Sequence, residues 1–288
     1  MENIKIVRTG AKRTIEYREK NQVGYFVFPR IEELGVAEHL FSTRIGGVSK
    51  GCYESMNLSY TRGDEKSAVD ENYMRIADCL GHGRTLKDFV STFQTHTTNI
   101  RKVTEADRGK GPLLERDYID IDGLVTDVPG IILSTFHADC PPIYFVDPVK
   151  KAIGLSHSGW KGTKGKIAQK TIEAMSDYYG CNPKDIVCAI GPSICGQCYE
   201  IGEDVASQFK EIYSNTELND CNILTPKSGD KYLLNLWNVI KYTLISTGVK
   251  EENILITDVC TKCNSDILFS HRVQGEKRGN LAAFLCLK

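Results

Sequence analysis

The chain has 288 residues, and 41% of them are hydrophobic, enough for a buried globular core. Its 36 basic and 37 acidic side chains nearly cancel, which leaves no electrostatic footprint for nucleic acid or an anionic membrane. No apolar run approaches the roughly 20 residues of a membrane span, and MENIKIVRTGAKR lacks the apolar stretch of a secretory signal. A cytoplasmic location is therefore expected, with the 11 cysteines mostly reduced, because an odd, scattered set is not a disulfide framework.

No low-complexity segment or linker offers a place to cut the chain, so residues 1–288 are read as one domain. Strands are expected around residues 14–28, a strand and loop at 39–49, and a helix near 66–80. Residues 89–103 (FVSTFQTHTTNIRKV) are rich in Val, Thr, Phe and Ile and contain neither Gly nor Pro. They read as a strand on which Gln94 and His96 share a face. Strands at 143–147 and 151–156 flank the turn signal Asp147-Pro148-Val149-Lys150. In residues 163–179, Ile167, Thr171, Ile172, Met175 and Tyr179 recur at helical spacing, and Gly180 supplies the stop.

A strand at 185–190, helices near 203–213 and 232–247, and a strand at 253–258 follow, with Gly248 ending the last helix. Helix, glycine and strand thus occur twice at a 68-residue offset, which a faded duplication and a chance match explain equally well. Strands and helices intermix without a strict βαβ rhythm, which favours mixed sheets over a doubly wound parallel fold.

Cys140 and His157 are equidistant from the middle of the Asp147–Lys150 turn. A hairpin folded there sets them opposite one another, or within one residue of it, with Cβ atoms roughly 4.5–5.5 Å apart. A thiolate and an imidazole at that distance can share one metal ion. His96 is a third candidate donor, but nothing local brings it to the hairpin, and alone it reads as an ordinary sheet histidine. Cys140 with His157 as base also suits a cysteine hydrolase. Cys195-Gly196-Gln197-Cys198 and Cys260-Thr261-Lys262-Cys263 would make a four-cysteine zinc site. However, the 61 residues between them exceed the roughly 15–20 of a zinc ribbon. The cytidine-deaminase signature is not matched, since His137-Ala138-Asp139 carries Asp and Cys195 follows Ile194.

The motifs HLFSTRIGGVSKGCYESMNLS, GDEKSAVDENYMRIADCLG, FQTHTTN, DGLVTD, HADCPPIYFVDP, GLSHSGWKGT, AIGPSICGQCYEIGEDV and FSHRVQGEKRGNLAAFL occur in the order found in one family. On these motifs, from about residue 38 onward, the chain resembles the YfiH-like, laccase-domain family. That family was long called multicopper polyphenol oxidoreductases and is now regarded as purine nucleoside phosphorylases. The resemblance implies an α+β layered sandwich of mixed β-sheets with flanking helices. It implies metal ligands at the His of Q-x-H, the Cys of ADC and the His before GW, which are His96, Cys140 and His157 here. It also implies phosphorolysis of adenosine, inosine, guanosine or 5′-methylthioadenosine to base and ribose 1-phosphate, with adenosine deaminase activity alongside. The chain departs from the family at His137 (usually Thr), Ser158 (usually Ala), Lys161 (usually Arg) and SHRVQGEKRG (usually SYRRDG).

A His₂Cys set leaves a fourth position open, as in catalytic rather than structural zinc. Zinc so held ionises a bound water near neutral pH, which suits replacement of the 6-amino group of adenosine. Phosphorolysis needs an anion site as well. Gly159-Trp160-Lys161-Gly162-Thr163 runs into a predicted helix N-terminus, where free N–H groups and Lys161 would face phosphate. Lys161 lacks the bidentate fork of the usual Arg. Arg44, Arg272 and Arg278 are further candidate anion holders, and Trp160 is a candidate purine stacker. Asp139 beside a ligand is either a proton carrier or a turn cap. Copper suits the same three donors, but a laccase with blue and trinuclear centres consumes more imidazoles than the six present. A single-copper polyphenol oxidase, a Cys–His hydrolase and a hydrolase editing peptidoglycan precursors are the competing readings. The expected partners are a small-molecule nucleoside and phosphate, with no nucleic acid and no membrane.

Overall fold

Successive side chains of a strand point to opposite faces, and in Leu281–Leu287 (LAAFLCL) all of them are buried. Leu281, Ala283, Leu285 and Leu287 join one core, while Ala282, Phe284 and Cys286 join another. Such a strand needs cover on both faces, and the layers of this molecule supply it.

The computed structural model describes residues 4–10 and 12–288. Its strands in chain order begin with β1 (Glu16–Lys20), β2 (Val23–Val27), β3 (Ala37–Ser42), β4 (Phe89–Ser91) and β5 (Ile100–Lys102). Then come β6 (Gly123–Thr126), β7 (Ile132–His137), β8 (Pro142–Asp147), β9 (Ala152–His157) and β10 (Val187–Ile190). The last are β11 (Glu200–Gly202), β12 (Leu224–Pro226), β13 (Lys231–Leu234), β14 (Ile254–Ile256) and β15 (Leu281–Leu287). The helices are α1 (Pro29–Glu33), α2 (Lys66–Leu80), α3 (Trp160–Lys164), α4 (Ile167–Tyr179), α5 (Glu203–Lys210), α6 (Asn215–Asp220), α7 (Leu236–Ser246) and α8 (His271–Gln274).

One six-stranded mixed sheet has the order β1-β2-β3-β15-β7-β4, a second has β14-β10-β8-β9-β6-β5, and a small third has β11-β13-β12. The large sheets face each other across a shared core, with Phe26, Phe41 and Leu133 on one side and Tyr144, Val146 and Leu155 on the other. Helix α2 covers the outer face of the first sheet, setting Val69, Tyr73 and Ile76 against Leu40, Ile132 and Phe284. Helices α4 and α7 cover the second, setting Ile172, Met175, Ile240 and Leu244 against Phe145, Cys188 and Ile190. Gly154 lets α4 approach β9, since a Cβ there would lie 3.0 Å from Thr171 Cγ2 and 3.2 Å from Met175 Sδ. The expected α+β layered sandwich is the observed fold. Among the described residues no helix is long and apolar enough to cross a membrane.

Several elements differ from expectation. Residues 89–103 are not one strand: β4 pairs with β7 in the first sheet and β5 with β6 in the second. The residues between cross from sheet to sheet, so tertiary pairing overrides the β propensity of the run. Residues 163–179 form two helices, α3 and α4, separated at Gly165 and Lys166, and Lys166 adopts φ 60°. Residues 232–247 begin as strand β13, and only then does the Asn235 side chain accept from Asn238 N to start α7. Helix α5 ends at Lys210, short of 213. The two helix–glycine–strand units stand side by side, with β10 and β14 parallel and Cys188 opposite Ile254.

Candidate metal centre and cleft

Strands β8 and β9 form the expected hairpin, but its register is shifted. His157 pairs with Pro142, so Cys140 lies beyond the end of the ladder rather than opposite His157. Asp139, at φ 88°, turns the chain there, and Ser158 N donates to Pro141 O at 2.8 Å to close the end. The sulfur and the ring meet nonetheless: one donor atom each of His96, Cys140 and His157 lie within 4.8 Å of one another.

His96 arrives on the crossing segment, not on a strand face, with φ 65°. The buried Asp122 carboxylate shapes that segment. Its Oδ2 accepts from Thr95 N (3.1 Å), Thr97 N (2.8 Å) and Thr97 Oγ1 (3.0 Å), and its Oδ1 accepts from His96 N (3.2 Å). The same Oδ1 accepts from His157 Nδ1 at 2.8 Å. That bond fixes the His157 tautomer and leaves Nε2 to face a metal. One carboxylate therefore positions two of the three donors. Gln94, expected to share a strand face with His96, instead bonds both Phe136 N (2.7 Å) and Phe136 O (2.8 Å) and ties the crossing to β7.

The electrostatics suit a metal. Burial alone would raise the Cys140 thiol, but the His157 charge and hydrogen bonds from His157 and His96 outweigh it and bring it down to about 6. Burial alone would lower His157, but the Cys140 thiolate and the Asp122 hydrogen bond raise it to about 9. The metal-free pair is thus thiolate and imidazolium, held by a carboxylate. Asp122 itself lies below its ordinary value, because the His157 bond and the loop amides outweigh its burial. The glycine that follows Ser158 is required by close approach, since a Cβ at Gly159 would lie 2.6 Å from His96 Cδ2 and 3.2 Å from Cys140 Sγ.

Two cavities open on this cluster, of about 370 Å³ and about 390 Å³, and His96, Cys140, Arg62 and Arg278 line both. The first carries Ser59, Thr61, Arg116 and Asn280 in its wall beside the rings of Tyr60, Phe93 and Phe136. Trp160, Tyr199 and Leu236 line the second, with Arg272 and Asp139. Arg278 is only 6% exposed, and its Nε has no hydrogen-bond partner. Burial and the nearby Arg62 lower it to about 10.

Not every expected site residue belongs here. Lys161 is exposed, its ammonium lies 5.7 Å from the Trp160 ring, and it lines neither cavity. In the one-turn helix α3, buried Gly162 and Thr163 serve packing: Thr163 Oγ1 donates to Ser158 O at 3.0 Å, and a Cβ at Gly162 would sit 3.2 Å from Thr97 O. Arg44 is structural, donating to Glu54 O (2.8 Å) and Ser265 O (3.3 Å) over the Phe269 ring. Arg272 lines the second cavity while donating to Glu200 O at 2.9 Å. Both Asp139 oxygens are engaged, accepting from Thr261 Oγ1 at 2.6 Å and Arg272 N at 2.7 Å, which makes it a tie between loops. Asp122, Arg62, Arg116 and Asn280 were missed. Asp122 had a signal, since it is the residue before GLVTD within a motif already singled out. The arginines had none.

The model of the multi-copper polyphenol oxidoreductase laccase family matches residues 38–288. Over 252 residues the chain is 32% identical to the purine nucleoside phosphorylase YlmD of Bacillus subtilis, covering 86% of this chain and 87% of that one. An adenosine deaminase of an unknown prokaryotic organism is 33% identical over 241 residues, or 83% and 90% of the two chains. The crystal structure of the Bacillus licheniformis protein YfiH matches with TM-score 0.86 and 31% identity, over 94% of this chain and 99% of that one.

Proposed function

The chain belongs to the multi-copper polyphenol oxidoreductase laccase family, and from that premise we propose that it is a zinc-dependent purine nucleoside phosphorylase that also deaminates adenosine. The observation that carries this reading is the position of the donor cluster between two cavities that each carry arginines and aromatic side chains: His96 and Cys140 line both, and His157 lines the first. The donor set fits the metal: a thiol already depressed to about 6, and a His157 tautomer fixed through Nδ1. A zinc ion held by His96, Cys140 and His157 would supply Lewis-acid polarisation.

The chain's own residues account for the remainder. Arg278, buried with a free Nε, and Arg62 beside it hold the phosphate dianion, replacing Lys161 in that role. Trp160 and Tyr199 offer aromatic faces to the purine. An oxygen of hydrogen phosphate forms a bond to C1′ as the C1′–N9 bond breaks, and the proton that the phosphate gives up passes through solvent to the ring nitrogen of the departing base. Adenosine, inosine, guanosine and 5′-methylthioadenosine all present that bond. Deamination uses the same purine site, but there water forms a bond to C6 and the 6-amino group leaves as ammonia, so it does not need the bound anion. Residues 1–288 act in this reading as one catalytic unit.

A multi-copper centre is not supported by the histidines. His39 accepts from Phe28 N, His82 meets Glu38, His137 is bonded through both nitrogens, and His271 meets Gly275 O. Only His96 and His157 converge on the Cys140 sulfur. The thiolate–imidazolium pair also matches a cysteine nucleophile with its base, but that chemistry gives His96 no role.

The test is product analysis of purified, metal-quantified protein with adenosine. Adenine and ribose 1-phosphate should appear only with phosphate, and inosine without it. Neither product in metal-replete protein overturns the proposal.

A further inference from the structure

The two C-x-x-C pairs, set aside above on their sequence separation, meet in space. The sulfurs of Cys195, Cys198, Cys260 and Cys263 all lie within 4.8 Å of one another. Strand pairing does what ribbon spacing does elsewhere. Strands β10 and β14 run parallel as neighbours, the pairing continues through a bridge from Ser193 to Cys260, and each chain then makes its C-x-x-C turn at the same end. We propose that these four cysteines form a second, closed zinc site that is distinct from the His96–Cys140–His157 cluster.

The geometry supports four-sulfur coordination over the alternatives. With Zn–S bonds of about 2.3 Å, a tetrahedral site sets its sulfurs about 3.8 Å apart. Cys198 Sγ and Cys263 Sγ are 3.5 Å apart, near that value and far from the roughly 2.05 Å of a disulfide. The backbone is arranged as it is around bound thiolates. Cys198 N and Tyr199 N both donate to Cys195 O, at 2.9 and 3.0 Å, which tightens the first turn. Cys195 N donates to Cys260 Sγ at 3.3 Å, and Asn264 N donates to Cys260 O at 3.1 Å in the second. Cys195 and Cys260 are buried, while Cys198 and Cys263 are half-buried. Four soft sulfurs within 4.8 Å of one another suit zinc among common divalent ions, and a full set of protein donors marks a structural site.

Its place in the fold gives it a task. Ile194 N donates to Asp139 O at 2.9 Å, Thr261 Oγ1 donates to Asp139 Oδ1 at 2.6 Å, and Thr261 N donates to Ser193 O at 3.1 Å. Both cysteine turns therefore hold Asp139, the residue next to Cys140. A metal in the tetrad fastens the two turns together and, through Asp139, fixes the loop that presents Cys140 to the cleft.

The experiment counts zinc per chain in His96→Ala protein dialysed against zinc and then against buffer, with and without the added changes Cys198→Ser and Cys263→Ser. His96→Ala lacks a donor of the cleft cluster, so one tightly held zinc is expected in it, lost when the two serines are added. Where the triple variant does not fold, cobalt loaded into His96→Ala reads the same site and should show the intense near-ultraviolet thiolate charge transfer and visible bands of a tetrahedral four-sulfur centre. Metal at background in His96→Ala, ready alkylation of all four cysteines without a chelator, or a Cys198–Cys263 disulfide in the isolated protein each overturns the proposal. The readout is metal content and not turnover, so failure of the phosphorylase reading would leave it standing.

Discussion

Two sulfur-bearing clusters flank Asp139, and they differ in what they leave free. The one at the cleft has three donors of two kinds, its His96 is exposed, and it borders two cavities. The other has four donors of one kind, two of them buried. A full donor set leaves no position for substrate, whereas three donors leave one. Their supports differ in the same sense. The cleft cluster is oriented by a buried carboxylate, Asp122, which also biases the charge of His157. The tetrad is oriented by backbone turns, one of whose amides, Cys195 N, also donates to the Cys260 sulfur. Chemistry belongs at the first and rigidity at the second.

The sharpest break between them should come from deleting a sulfur on each side. Cys140→Ala should lower kcat/KM for phosphorolysis by about 10³-fold, because loss of Lewis-acid stabilisation costs several kcal/mol. Cys263→Ala should lower it by about tenfold at most, since that sulfur acts only through Asp139. Steady-state kinetics on the two variants measures both, and equal losses would erase the distinction.

Next in size is Asp122→Asn. It keeps the shape but removes the charge that holds His157 Nδ1–H and the loop of residues 95–97. Zinc affinity at the cleft should fall about 10–100-fold, the usual cost of losing such a partner, as read by chelator competition. The tetrad, which Asp122 does not touch, should hold its metal unchanged.

How much of this was legible in the sequence depended on how local the cause was. Helix stops at Gly180 and Gly248, and the turn that pairs β8 with β9, are set by residues within a few positions of one another. The crossing at residues 92–99 was misread because its shape comes from Asp122, far along the chain, and not from its own β-rich composition. Strand β15 escaped notice because burial on both faces removes the alternation that marks a strand. His96 joined the donor set only through the family resemblance. The tetrad was discounted because ribbon spacing assumes contiguous knuckles, while here parallel neighbours β10 and β14 do the joining. Lys161 stands first among the anion candidates on its motif, but its side chain turns to solvent, while Arg278, a further candidate in the C-terminal motif, is buried at the cleft, which its motif does not reveal.

A smaller effect separates the two reactions within the cleft. Arg278→Lys should raise KM for phosphate by about tenfold, because an ammonium lacks the guanidinium fork, and should leave deamination of adenosine nearly unchanged. A matching loss in both would make Arg278 a support of the shared nucleoside site.

An effect of the same size is expected in thiol reactivity. In chelator-treated protein, Cys140 titrates near 6, so its alkylation should rise by about tenfold between pH 5 and pH 7 as the thiolate forms. Zinc should suppress that reaction, as peptide mass spectrometry of the alkylated site would show. Rapid alkylation in zinc-loaded protein, with turnover indifferent to the chelator, would favour a cysteine nucleophile.

The most direct test is phosphorolysis of adenosine by His96→Ala protein whose metal has been counted. Three donors sharing one ion predict the loss of one zinc per chain relative to the unaltered protein and adenine release reduced to background, with the tetrad's zinc retained. Full adenine release from His96→Ala, with zinc content unchanged, would contradict a three-donor catalytic centre.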